Sequence, residues 1–131
     1  MATLFSRIVT GEIPCYKISE SDKYLAFLDV FPLAKGHVLV IPKKETDYIF
    51  DIEEEEFAGL HLFSQKVARA IKKAIPCKRV GVAVIGLEVP HAHIHLIPLN
   101  SVSDINFSLP KLTLSKEELE ETAKKIREQL T

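Results

Sequence analysis

Hydrophobic and polar positions alternate between two periods along this chain, and the switches between them mark out its elements. Leu4, Phe5, Ile8 and Val9 recur at helical spacing and Gly11 follows, which predicts a short leading helix. Cys15–Ser19 and Tyr24–Val30 are β-like runs on either side of Glu20-Ser21-Asp22-Lys23, a hairpin turn by composition. Pro32-Leu33-Ala34-Lys35-Gly36 reads as a loop, and His37–Ile41 as a third strand ended by Pro42. A long helix comes next. Asp51 is its expected N-cap, Glu53 to Glu56 crowd the positive end of its dipole, and Lys72 and Lys73 sit at the negative end before Pro76. Phe57, Leu60, Ser64, Val67 and Ile71 form its inward stripe. Arg79–Ile85 and Ala92–Pro98 predict two further strands, five in all. Ser115 and Glu118 form a capping box that opens a last helix with Leu119, Ala123, Ile126 and Leu130 inward. Strands with helices set between and after them indicate an α+β fold. Without a repeat or a linker-like stretch, residues 1–131 are expected to form one domain.

Composition narrows the function classes. The 131 residues carry 17 Lys+Arg against 18 Asp+Glu, a net charge of −1, so no basic excess suits a nucleic acid or a membrane surface. An anionic ligand must then be met by local cations or dipoles. No apolar run is long enough to span a bilayer, and Met1–Thr10 lacks the pattern of a secretory leader. Cys15 and Cys77 have no Cys-x-x-Cys spacing, which predicts packing cysteines in a reducing, cytoplasmic setting.

The candidate chemistry is concentrated in Pro90-His91-Ala92-His93-Ile94-His95-Leu96-Ile97-Pro98. Alternation places His91, His93 and His95 on one face of the predicted strand and Ala92, Ile94 and Leu96 on the other. The apolar side is expected to face the core, with the imidazoles lining a polar surface or cleft. His37 opens another predicted strand just after Gly36. Three readings are open. The histidines could be solvated positions of an amphipathic strand. A His-x-His pair could hold a metal ion, although a third ligand would have to come from elsewhere. Or one neutral imidazole could attack phosphorus, forming a covalent nucleotidyl-histidine while its neighbours hold the phosphoryl oxygens.

The segment His91-x-His93-x-His95-Leu96-Ile97 resembles the signature of the histidine-triad (HIT) superfamily of nucleotide hydrolases and transferases. Ile8-Val9-Thr10-Gly11-Glu12-Ile13-Pro14, Leu25-Ala26-Phe27-Leu28-Asp29 and Gly36-His37-Val38-Leu39-Val40-Ile41-Pro42-Lys43-Lys44 resemble its Hint-like branch, in order. The likeness runs over roughly residues 3–98 and leaves the tail after Asn100 uncovered. It implies a five-stranded antiparallel sheet with a long central helix, paired into a homodimer with a continuous ten-stranded sheet. It implies His93 as nucleophile on the α-phosphorus, His95 as holder of a phosphate oxygen, and His91 and His37 as supports. Asp29 matches the ribose-binding position, and Phe5, Ile8, Phe27 and Val30 match the apolar pocket for the base. His95 stands where the transferase branch carries Gln, which favours hydrolysis. The implied activity is a metal-independent nucleoside 5′-phosphoramidate hydrolase with a purine nucleotide substrate and no cofactor. A dinucleoside polyphosphate hydrolase, a nucleotide-binding module with weak turnover and a metal-binding β domain remain as alternatives.

Two departures bear on that likeness. Thr3, Ser6 and Glu45 stand where many bacterial members carry the Cys-x-x-Cys and His of a structural zinc site, so zinc is not expected. In the shortened loop Val84-Ile85-Gly86-Leu87-Glu88-Val89-Pro90, Leu87 and Glu88 replace a phosphate-contacting Gln and a leaving-group Ser or Thr. Glu88 would then either serve as an acid that favours amine or cationic leaving groups, or simply face solvent.

Overall fold

The computed structural model describes residues 3–130, so the two first positions and the last of the expected 1–131 domain lie outside the described residues. Its elements are α1 (Leu4–Val9), β1 (Lys17–Glu20), β2 (Tyr24–Leu28), β3 (Val38–Pro42), α2 (Glu54–Ala74), β4 (Arg79–Ala83), β5 (Ile94–Leu99) and α3 (Lys116–Glu128). Short 3₁₀ turns occupy Ile49–Asp51 and Val102–Ile105. The five strands form one antiparallel sheet in the order β1-β2-β3-β5-β4. The expected α+β architecture is present.

The strand boundaries moved for identifiable reasons. Ala92 was expected to open the last strand, but β3 pairs β5 only as far as Val40 opposite Ile94. The Ala92 N–H turns away to the carbonyl of Thr46 at 2.7 Å. His91 and His93 therefore precede the ladder, and only His95 lies in it. The Asp51 cap is also displaced. Ile49 and Ile52 are buried, which pins Asp51 inside the 3₁₀ turn, and α2 starts from Glu53 without a side-chain cap. At the other end Ile75 is extended, as the residue before Pro76 must be. The Ser115–Glu118 capping box forms as expected, with the Glu118 N–H donating to Ser115 Oγ at 3.1 Å.

The central strands are covered on both faces. Ala26, Leu28, Val38, Val40, Ile94 and Leu96 pack with Leu60, Val67, Ala70 and Ile71 of α2 and with Leu119, Ala123 and Ile126 of α3. Leu25, Phe27, Leu39 and Ile41 point the opposite way and pack under Phe5 of α1. Every residue of β3 is consequently buried. This second, thinner layer is where the histidines lie.

Candidate functional site

On β3 and β5 the pairing of Leu39 with His95 sets those two side chains on the face away from α2, and His37 directly precedes β3 on the same side. All four histidines are buried, His37 completely and His93 to 7% residual exposure. Of the polar surface or cleft expected from alternation, the open surface is not formed, because the rings lie in a covered layer. Phe5 roofs it, its ring edge-on to His93 at 4.9 Å and to His91 at 5.9 Å between centroids. Phe107 closes the other end, 4.7 Å from His95 and 6.3 Å from His37. Strand alternation could not foresee these aromatic lids, because one comes from α1 and the other from the tail.

The hydrogen bonds fix where each ring carries its hydrogen, since a carbonyl only accepts and a backbone N–H only donates. His93 Nδ1 lies 2.8 Å from the carbonyl of His91, so Nδ1 donates and the neutral ring keeps its lone pair on Nε2. His91 Nε2 donates to the Pro42 carbonyl at 2.8 Å, and its Nδ1 accepts from the Thr3 hydroxyl at 3.0 Å. His37 Nδ1 accepts from the Leu33 N–H at 3.1 Å, so its Nε2 donates to His95 Nδ1 at 3.0 Å. His95 is left with its hydrogen on Nε2. Among the described residues neither His93 Nε2 nor His95 Nε2 has a hydrogen-bond partner, and no buried side-chain polar atom lacks one, so both atoms reach solvent. A free lone pair therefore stands beside a free N–H, on rings 4.9 Å apart between centroids. Such a pair can attack an electrophile and hold the charge that develops next to it.

Burial keeps the three supporting rings uncharged. It pulls His37 down to about 3 and His95 down to about 4, with the neighbouring imidazoles adding to both. His91 is lowered for the same leading reason, against a raising contribution from its bond to Pro42. Asp29 accepts the Phe31 N–H at 2.9 Å and lies 3.7 Å from His37 Nε2; burial raises its carboxyl above the usual range.

The other expected site residues are distributed unevenly. Phe5 and Phe27 meet edge-on at 5.7 Å and Ile8 packs against their cluster. Val30 lies outside that cluster and is 43% exposed. Glu88 is exposed, with no hydrogen bond or ion pair among the described residues. Thr3, Ser6 and Glu45 do come together beside His91: the Thr3 N–H donates to Glu45 Oε1 at 3.1 Å, and Thr3 Oγ1 accepts from the Ser6 N–H at 3.0 Å while donating to His91. The Thr3 contact was legible in principle, because Thr directly before an apolar helical run is an N-cap signal. Nothing in the sequence of the tail marked Phe107.

One set of donors could suit a divalent ion. Asp29, His37 and His95 each offer an atom within 4.8 Å of the others. The 3.0 Å approach of the two ring nitrogens is accounted for by the hydrogen between them, and His37 Nε2 cannot hold that hydrogen and an ion together. A second concavity lies elsewhere. A groove of about 760 Å³ runs between Pro14–Lys17 and α3, lined by Lys116, Glu120 and Arg127. Exposed charges line it and no buried polar group points into it, so the histidine cluster remains the candidate site.

A family model described as HIT domain matches residues 10–102. Adenosine 5′-monophosphoramidase hnt1 of Schizosaccharomyces pombe is 34% identical over 133 residues, covering 97% of this chain and 100% of that protein. An uncharacterized HIT-like protein of Borreliella burgdorferi is 31% identical, covering 94% of each. Among solved structures, a Hit-like protein involved in cell-cycle regulation from Bartonella henselae superposes with a TM-score of 0.86 at 34% identity, over 98% of this chain and 96% of that one. A Zn-bound histidine triad family protein from Mycobacterium smegmatis gives 0.84 at 29% identity, over 99% and 94%.

Proposed function

The chain belongs to the HIT domain family, and we propose that it hydrolyses nucleotides at the α-phosphate through a covalent bond between phosphorus and His93 Nε2. The observation that carries this reading is the solvent-reaching lone pair of His93, held in place by the Nδ1–H bond to the His91 carbonyl. Attack by Nε2 forms the N–P bond as the bond from phosphorus to the leaving group breaks. Water then takes the nucleotide from the histidine, which returns the ring to its starting state. The His95 Nε2–H supports the phosphoryl oxygens in both steps, and the relay from Leu33 through His37 keeps that hydrogen outward. His91 sets the position of His93 through its carbonyl. Asp29 receives the ribose hydroxyls, the Phe5, Ile8 and Phe27 cluster receives a purine base with Val30 at its rim, and Glu88 serves as acid toward the leaving group. No step needs a metal or a cofactor.

The S. pombe relative named as an adenosine 5′-monophosphoramidase makes the adenosine phosphoramidate class the first substrate to test. We place the reaction in a reducing cytoplasm, in keeping with two free cysteines and with no described helix long and apolar enough to cross a membrane. A homodimer joined along β4 fits the sheet, since β4 is an edge strand whose Val82 is 61% exposed.

Adenosine phosphoramidate turnover in EDTA tests the reading. Wild-type protein should release AMP at an unchanged rate, and His93→Ala should lose all turnover while still binding AMP. Loss of wild-type activity in EDTA would favour the metal-binding domain instead. Near wild-type turnover by His93→Ala would move the nucleophile elsewhere.

A further inference from the structure

The site has a charge problem. Its substrate under the proposed reading is an anion, yet burial keeps His37, His91 and His95 uncharged near neutral pH, and Asp29 adds a carboxylate. The hydrogen-bond donors at the triad offer dipoles but no full positive charge. A cation must come from another part of the chain.

The tail supplies one. After β5 the chain makes the 3₁₀ turn Val102–Ile105 and folds back along the end of the histidine layer. The Leu112 N–H donates to the Pro32 carbonyl at 2.8 Å, tying the tail to the loop that follows Asp29. Asn106 braces the bend by accepting from the Ser108 N–H at 3.0 Å. Phe107 then packs against His95, and Lys111 Nζ sits 6.0 Å from the centre of the Phe107 ring. Two of the three ammonium hydrogens go to the carbonyls of Phe107 and Leu109, at 2.7 and 3.2 Å. Among the described residues the ammonium has no further hydrogen bond or ion pair, and the side chain is exposed. Among the described residues Lys111 is the only lysine or arginine whose charge is felt at both Asp29 and His37.

We propose that Lys111, carried by the 106–112 strap whose Phe107 packs against His95, is the binding cation for the phosphate of the substrate. This rests on the nucleotide reading of the site and adds a residue outside the span matched by the family model, which ends at residue 102. The strap uses Phe107 as a wall and its own carbonyls as a mount, so Lys111 is held in one place in advance of binding. A lysine acts here as a point charge rather than a fork, and Arg should substitute for it in part.

The test compares a phosphorylated ligand with its uncharged counterpart. AMP and adenosine are titrated calorimetrically into wild-type protein, K111A, K111M and K111R at two salt concentrations. The expected result is an AMP Kd raised about tenfold in K111A and K111M, with adenosine within twofold of wild type and K111R restoring most of the loss. The salt dependence of AMP binding should also flatten in K111A. Equal weakening of AMP and adenosine would make Lys111 only a support of the strap and overturn the proposal. An unchanged AMP Kd would overturn it too. Wild-type protein that bound neither ligand would instead remove the nucleotide reading itself, which separates the two failures.

Discussion

Replacing Thr3 by Val removes one oxygen and changes almost nothing else in shape, so its cost can be worked from two of that oxygen's three contacts, its single hydrogen going to His91 at 3.0 Å rather than to Ser6 Oγ at 3.3 Å. Thr3 Oγ1 accepts the Ser6 N–H at 3.0 Å as the N-cap of α1, and losing a Thr cap costs about 1 kcal/mol. The same hydroxyl donates to His91 Nδ1 at 3.0 Å, on a ring with no exposed surface. That acceptor would be left without a donor, at about 1–3 kcal/mol. The ring cannot escape by moving its hydrogen to Nδ1, because Nε2 would then face the Pro42 carbonyl without one. The Glu45 bond goes to the Thr3 backbone and survives. Together the loss should be about 2–4 kcal/mol, a large share of the roughly 5–15 kcal/mol typical of a domain. Urea unfolding should show it as a lower midpoint at unchanged slope. Thr3→Ser keeps the oxygen and should stay within about 1 kcal/mol of wild type. A Thr3→Val loss below about 1 kcal/mol, or a serine variant as unstable as the valine one, would refute the reasoning. Turnover should fall as well, since the His91 carbonyl positions His93.

Acid should destabilise the fold earlier than carboxylates alone would cause. Unfolded histidine binds a proton below about pH 6.5, whereas His37 and His95 resist it down to about 3 and about 4. The unfolded state therefore holds more protons between those limits, and stability drops as pH falls, by up to about 2.7 kcal/mol per pH unit between roughly pH 6 and 4 for the pair. Urea midpoints that stay flat over that window would contradict the buried neutral pair. Gly36→Ala should cost about 2–3 kcal/mol, because φ there is +96° and the new Cβ would stand 2.9 Å from Ile75 Cγ1. Its thermal midpoint should drop accordingly, and a variant as stable as wild type would show that the His37 loop can relax.

The sequence by itself determined the elements and most of the core. Period located α2 and α3, the Ser115 cap fixed the start of α3, and alternation separated Ile94 and Leu96 from His95, because such patterns depend on neighbours a few residues away. It also singled out the four histidines as a group. Only the tertiary structure decided that this face is covered rather than open, that Thr3 and Pro42 lock His91, and that Leu33 orients His37. The two that lock His91 join positions 88 and 49 residues apart, so no local periodicity encodes them, and the Leu33 bond, though only four residues long, depends on the fold of its loop. The state of each ring follows from which donor or acceptor arrives at its nitrogens, and it is the packing of α1, β3 and the loop before β3 around β5 that brings them there.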